Sequence, residues 1–215
     1  MSKLAEILKR YTSIPALIDI LHRKQIPLLD PQGWDDRNDR YFMALYKQHR
    51  GIEGLYGMCA TQSKETYHHW RVFTEGNTGA CIEINKAALE ESLRSQNGYR
   101  CQIVRYATLS EAKNLGSEPP ECLPFLKRHG FTDEKEYRLI YEDSQPQRGA
   151  HYIDLPYEMI ETIHFNPWLP AKISESLKQV ILNIISPAKI TIRQSALIDS
   201  RTWKEAGDKL VNRTL

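Results

Sequence analysis

The sequence has little of what usually betrays a reaction. Its eleven glycines never reach the spacing of a phosphate-binding loop or a dinucleotide fingerprint. No Gly-x-Ser-x-Gly elbow and no His-Glu-x-x-His helix occurs, which argues against the common serine-hydrolase and zinc-protease plans. The four cysteines, Cys59, Cys81, Cys101 and Cys122, form no Cys-x-x-Cys pair, so neither a zinc ribbon nor a thioredoxin-like motif is expected. Three of them sit in apolar, strand-like contexts and read as buried thiols suited to a reducing compartment. No apolar run approaches the length of a bilayer span, and the first residues lack the apolar core of a signal peptide. A cytoplasmic protein without membrane contact is the expectation. Charge excess is also lacking: 29 basic against 27 acidic side chains leave +2. That balance argues against a broad basic surface for nucleic acid, while a local patch stays compatible with it.

What is present suffices for a large core. A chain of 215 residues with 41% hydrophobic residues needs no disulfide or metal staple, and one domain over 1–215 is expected. Thr12-Ser13-Ile14-Pro15 is a helix start, followed by Ile14, Leu17, Ile18 and Leu21 on one face. Phe42, Leu45 and Tyr46 predict a second helix that Gly51 ends. Asn85 can cap a helix carrying Leu89 and Leu93, and residues 123–128 predict a short helix stopped at Gly130. The longest helix is expected at 172–186, where Ile173, Leu177, Val180, Ile181 and Ile184 form one apolar stripe. Strands are expected at 26–29, 55–61, 80–84, 99–106, 134–142, 151–155, 162–165 and 189–193, and the tail beyond Trp203 is polar. These elements mix without a regular βαβ rhythm. The expected fold is therefore α+β, with a mainly antiparallel sheet, whole or split, and flanking helices.

Three stretches can carry chemistry. In Thr132–Glu142, Tyr137, Leu139 and Tyr141 alternate with Arg138, Ile140 and Glu142, the period of a pleated strand. Extended backward, the same alternation puts Glu134, Glu136 and Arg138 on one side. They are either a solvated edge that discourages aggregation or a site. As a site they suit cleavage of an N-glycosidic bond, such as nicotinamide release from NAD, which builds positive charge on the ribose. Glu136 would hold the ribose 2′-hydroxyl and face that charge. Glu134 would orient or deprotonate the acceptor, and Arg138 would clamp both. In Trp34–Arg40, the aspartates either cap the next helix or hang over a cleft, with Asn38 and Asp39 holding a ribose or a neighbouring loop. In Tyr67–Arg71, Trp70 is either core or, beside His69 at a cleft edge, a stacking surface for a flat ring. His68 and His69 are adjacent and point apart, so no metal site is expected.

The order of these motifs resembles an uncharacterised bacterial and phage family. The resemblance is carried by Arg10-Tyr11, Trp34–Asp39, His69-Trp70, Gly79–Ile84 and Glu134–Arg138, and runs from Arg10 to Ser195–Asp199. It implies a role in phage defence or a toxin system and supplies no reaction. A second resemblance, to mono-ADP-ribosyltransferases, does supply one. The opening Arg10-Tyr-Thr-Ser-Ile-Pro with its helix and Ile26-Pro-Leu-Leu is similar to the DNA-targeting and transfer-RNA-phosphotransferase members. Glu134-x-Glu136 is similar to the third motif of the transferase superfamily. This resemblance implies NAD as substrate and Glu136 as the catalytic carboxylate. It also implies Arg10 on the phosphates or ribose and Tyr11 or Trp70 near nicotinamide. The Ser-Thr-Ser motif of one large subgroup is absent.

The leading expectation is an NAD-dependent mono-ADP-ribosyltransferase, a toxin or anti-phage effector that modifies nucleic acid or protein. The alternative is a non-enzymatic sensor or partner module, bound to an antitoxin or another defence-system protein. A third is a metal-dependent nuclease using Asp35, Asp36 or Asp39 with Glu134 and Glu136.

Overall fold

The structure is a computed structural model that describes residues 6–145 and 149–211. The chain opens with β1 (Ile7–Ser13) and α1 (Ile14–Arg23). The Ser13 side chain accepts from the Ala16 N–H, Pro15 occupies the first turn, and Ile14, Leu17, Ile20 and Leu21 are buried. Next come β2 (Gln25–Leu29) and a turn over 31–33 capped by Asp30. Helix α2 (Arg37–Arg50) starts under the Asp36 side chain and ends at Gly51, whose φ of 62° suits a residue without Cβ. The chain continues through β3 (Gly54–Thr61), α3 (Tyr67–Phe73), β4 (Gly79–Asn85), α4 (Lys86–Leu93), β5 (Tyr99–Ile103), β6 (Arg105–Ala107) and α5 (Leu109–Ala112). It closes with β7 (Leu126–Arg128), β8 (Glu136–Asp143), β9 (Ala150–Asp154), β10 (Ile160–Phe165), α6 (Ala171–Ile185), β11 (Thr191–Gln194) and α7 (Arg201–Val211).

Among the described residues nine strands form one branched sheet that is antiparallel except for the β10–β11 pair. The fold is α+β, as the sequence leads one to expect. β8 pairs with β3 along its whole length, from Gly54↔Asp143 to Thr61↔Glu136. The other edge of β3 is shared: β2 meets it only at Leu29↔Gly57 and β1 only at Lys9↔Thr61. β1 belongs instead to β4, which it pairs with over seven residues from Ile7↔Asn85 to Ser13↔Gly79. The sheet therefore splits where β1 leaves β3.

One face of the sheet builds the main core. Leu8, Tyr56, Met58, Ile82, Tyr137 and Leu139 pack there with Leu17 and Leu21 of α1 and with Ile181 and Ile185 of α6. On the opposite face two smaller clusters form: Met43 and Tyr46 of α2 on Leu55, Ile140 and Phe125, and Trp70 of α3 on Tyr11 and Cys81.

Several elements differ from the sequence expectation. The 99–106 run breaks at Val104 into β5 and β6, and β6 pairs with β7 in a separate two-stranded sheet. Residues 123–128 are not a helix: a 3-10 segment ends at Phe125 and strand β7 follows. Pro124 has no N–H to give a ladder, and its carbonyl accepts from Arg138 instead. The α6 stripe is only half covered, with Ile173 and Val180 exposed. Beyond Ser200 the chain forms α7, whose Trp203 is 81% exposed. None of the described helices is long and apolar enough to cross a membrane.

Candidate active site

The gap at the split edge of β3 is a cleft of about 390 Å³, within the usual range for small-molecule sites. β1 lines it with Lys9, Arg10 and Tyr11, β3 with Gly57, Cys59 and Thr61, and the loop into α2 with Trp34, Asp35 and Asp36. The far wall holds Asp39, Lys127, Glu134 and Glu136, with Phe73 and Phe131 as apolar lining.

Period-two alternation explains the floor. Glu136, Arg138 and Ile140 of β8 share a face with their register partners Thr61, Cys59 and Gly57 of β3. Arg138 is fully buried and spends its donors on four contacts. Nε gives 2.6 Å to Glu136 Oε1, and Nη2 gives 2.9 Å to Glu136 Oε2 and 2.8 Å to Asp39 Oδ2. Nη1 donates to the Pro124 carbonyl at 2.7 Å. Its guanidinium lies 4.7 Å from the Trp34 ring centroid. Gly57 makes room for that ring, since a Cβ there would stand 2.7 Å from Trp34 Cζ2. Asp39 reaches the cluster because Asp39, Met43 and Tyr46 form the buried face of α2.

Lys127 enters from β7. Its ammonium lies 2.5 Å from Glu134 Oε2, 3.3 Å from Glu136 Oε2 and 3.6 Å from Asp39 Oδ2. Three carboxylates thus face two cations in a largely dry pocket. Among the described residues no group of three or more His, Cys, Asp or Glu is placed to hold a metal ion. The space between these carboxylates is filled by an ammonium.

The charge states diverge. Burial alone would raise the Glu136 pKa, but the Arg138 guanidinium, with Lys127, holds it down to about 2. Glu136 is therefore a permanent anion at neutral pH although only 3% exposed. Burial dominates at Glu134 and Asp39, whose pKa values rise despite Lys127 and, for Asp39, Arg138. Burial also raises Cys59, and the Glu136 charge adds to it, so this thiol stays protonated. Arg10 is the cleft cation without a carboxylate partner. Nη1 donates to the Cys59 carbonyl at 3.0 Å, bridging the split, and among the described residues Arg10 makes no ion pair. Burial lowers its pKa, while the nearby Glu136 carboxylate opposes that shift. The buried Tyr11 hydroxyl has no hydrogen-bond partner and lies beside Cys81, with its pKa raised by burial.

The sequence-singled residues divide accordingly. Arg10, Tyr11, Asp39, Glu134 and Glu136 line one cleft, with Arg138 clamped behind them. Glu134 gets there by a route other than the expected strand edge. It closes a 3-10 turn over 129–134, and Lys135 follows in the left-handed region at φ 42°. Arg138 bonds Glu136 and not Glu134, whose partner is Lys127. Three residues expected at the site are elsewhere. Trp70 is fully buried against Tyr11, in a T-shaped contact at 5.0 Å, with Nε1 donating to Glu65. His69 is buried too, held by the Thr66 and Ser63 hydroxyls, and burial lowers its pKa. Asn38 faces solvent in the first turn of α2, where its amide bonds Asp36. Short α3 turns its apolar side inward, so its aromatics serve packing, and Phe73 reaches the cleft in their place.

Lys127, Cys59 and Phe131 escaped sequence reasoning, and Trp34 entered it without a role of its own. Trp34 heads a stretch that reads as polar, and Cys59 reads as a core thiol. Lys127 is one lysine in a short basic run, and nothing local marks it.

No protein-family model matches the chain, and no curated protein matches it. It is similar to the solved structures of Thermus sp. 2.9 DarT in complex with NAD+ (13% identity, TM-score 0.43, covering 91% of this chain and 98% of that one). It is likewise similar to the same protein in complex with ADP-ribosylated ssDNA (14% identity, TM-score 0.45, 89% and 94% covered). The complex with carba-NAD+ gives 16% identity, a TM-score of 0.41, and 91% and 97% covered. Likeness at this level carries no argument about residues or reaction.

Proposed function

We propose that the chain is an NAD-consuming mono-ADP-ribosyltransferase, a toxin or anti-phage effector acting on nucleic acid or protein. One observation supports the reading above the others. Glu136 is a dry, fixed anion on the wall of a cleft that also receives Arg10, a cation with unused donors. Breaking the bond between ribose C1′ and the nicotinamide nitrogen sends the bonding pair to the nicotinamide and leaves positive charge on the ribose. A pre-oriented carboxylate stabilises that charge without reorganising. Glu136 Oε1 accepts from Arg138 Nε and Oε2 from Arg138 Nη2 and Lys127, with the Cys59 thiol as a further donor, so a ribose hydroxyl would take the place of that weak thiol bond. Arg10 suits phosphate or ribose oxygens. The acceptor oxygen or nitrogen then bonds to C1′ and gives its proton to Glu134, whose raised pKa suits that task, or to solvent.

The test is incubation with NAD labelled in its ADP-ribose half and cell extract, followed by separation of nucleic acid and protein. Label in either fraction, with free nicotinamide, is the expected result. Absence of both transfer and nicotinamide release rejects the reading.

A second reading, a non-enzymatic partner module, is favoured by α7, whose eleven residues are all exposed, including Trp203, Leu210 and Val211. It predicts stable co-purification with a partner protein and unchanged function in Glu136→Gln.

A further inference from the structure

We infer that Lys127 is a positioning residue of this site: its ammonium holds Glu134 and Glu136, which the backbone does not place side by side, in one fixed arrangement. The consequence for activity rests on the reading above, whereas the geometry does not.

The strand ladder fixes Glu136, the register partner of Thr61. It does not fix Glu134, which lies in a turn and is separated from β8 by the left-handed Lys135. Among the described residues the only side-chain hydrogen bond of Glu134 is to Lys127, at 2.5 Å. The same nitrogen reaches Glu136 at 3.3 Å and Asp39 at 3.6 Å, so three chain segments converge on one atom. An ammonium projects three donors and suits such a hub better than a planar guanidinium.

The small β6–β7 sheet has a purpose in this light. Tyr106 and Lys127 are register partners within it. The Tyr106 hydroxyl accepts from the Glu136 backbone N–H at 2.8 Å, while Lys127 grips the carboxylates. The pair therefore holds the Glu-x-Glu segment by main chain and side chain at once. Phe131 closes over the ammonium at 4.8 Å from its ring centroid and limits its access to water.

Lys127 also favours the charged form of each carboxylate. Burial opposes its own charge, but Glu136, Glu134 and Asp39 together raise its pKa, and it lowers theirs in return. The other groups facing the two glutamates are Arg138 on β8, Cys59 on β3, Tyr106 on β6, Arg10 on β1 and His69 on α3, the last against the backbone of Asp133 and Glu134. None of these contacts Glu134 as Lys127 does.

The experiment follows the side-chain carboxyl carbons of 13C-glutamate-labelled protein through a pH titration by NMR, for wild type, Lys127→Met and Lys127→Arg. The same proteins are assayed for nicotinamide release from NAD. In Lys127→Met the Glu134 and Glu136 midpoints are expected to move up by about one unit or more, with the larger move at Glu134. The turnover number is expected to fall about 100-fold with little change in KM, the signature of lost orientation. Lys127→Arg restores the charge, and with it most of both titrations and part of the turnover. Wild-type midpoints in folded Lys127→Met, or wild-type turnover in that variant, overturn the inference. If Lys127→Met does not fold, Lys127→Gln, which keeps donor hydrogens and loses the charge, is read by the same criteria. Should wild type itself release no nicotinamide, the proposed function falls, and the titrations still decide the role of Lys127.

Discussion

Two halves of one sheet face show the contrast on which this protein turns. β3 and β8 run together for eight residues, and α2 crosses above them. Toward one end the face carries Leu55 and Ile140, covered by Met43, Tyr46 and Phe125 in an ordinary apolar cluster. Toward the other, the same alternation delivers Cys59, Arg138 and Glu136, covered by Asp39 and Lys127. Both halves are buried, but only the first is made of residues that gain by leaving water. A buried ion pair of this kind is often no better for stability than well-packed apolar residues of similar volume. The charged half is therefore poorly explained by stability alone, and it is the half that opens on the cleft.

The contrast can be broken from the charged side first. Arg138→Met leaves Glu136 and Asp39 buried without their strongest partner. A loss of about 3–5 kcal/mol is expected in chemical denaturation. Met43→Ala, in the apolar half, costs about 2–5 kcal/mol by the ordinary cavity mechanism. The two differ in their pH response: the Arg138→Met deficit shrinks in acid as the carboxylates protonate, and the Met43→Ala deficit does not.

Acid sharpens the comparison next. The folded pKa of Glu136, about 2, lies below its ordinary value of 4.5. Its contribution is present above pH 4.5 and lost as pH falls through 2. The difference corresponds to about 3 kcal/mol by linkage. Glu134 and Asp39 have the opposite sign. Their raised values favour the folded state at low pH, and that benefit is lost as pH rises through them. Comparing wild type with Glu136→Gln by denaturation between pH 2 and pH 6 isolates the Glu136 component. The stability gap between the two should narrow toward pH 2, and a gap independent of pH removes the assigned charge.

The smallest expected effect lies at the seam between the halves. Gly57→Ala puts a Cβ against the Trp34 ring and is expected to cost about 1–3 kcal/mol through overpacking. Trp34 must shift off Arg138, so a change in tryptophan emission should accompany the loss. An unchanged spectrum would mean that the ring does not need the space.

Much of the scaffold was legible because it is local. Ser13 and Pro15 announce α1, Gly51 ends α2, and the alternation Tyr137–Leu139–Tyr141 separates the core face of β8 from its charged face. Glu136 and Arg138 could be put on one side for the same reason. Glu134 could be grouped with them but not routed, because a left-handed Lys135 interrupts the alternation. Trp70 and His69 misled because an aromatic pair on a short helix reads the same at a cleft or in a core. The pairing of Tyr11 with Cys81 under Trp70 is a tertiary fact. Lys127 was invisible for a related reason. Its meaning lies in carboxylates from Asp39, Glu134 and Glu136, gathered by a two-stranded sheet that the sequence does not signal. The helix α7 was missed because its apolar side is sparse, with Gly207 between Trp203 and Leu210.

The claim that the charged half of the sheet face is a reaction centre is tested most directly by nicotinamide release from NAD. Wild type and Glu136→Gln are compared at equal concentrations of folded protein. The account predicts that wild type releases nicotinamide and that the variant, folded and still binding NAD, turns over about 10²–10³ times more slowly. Equal turnover in the two proteins would contradict it.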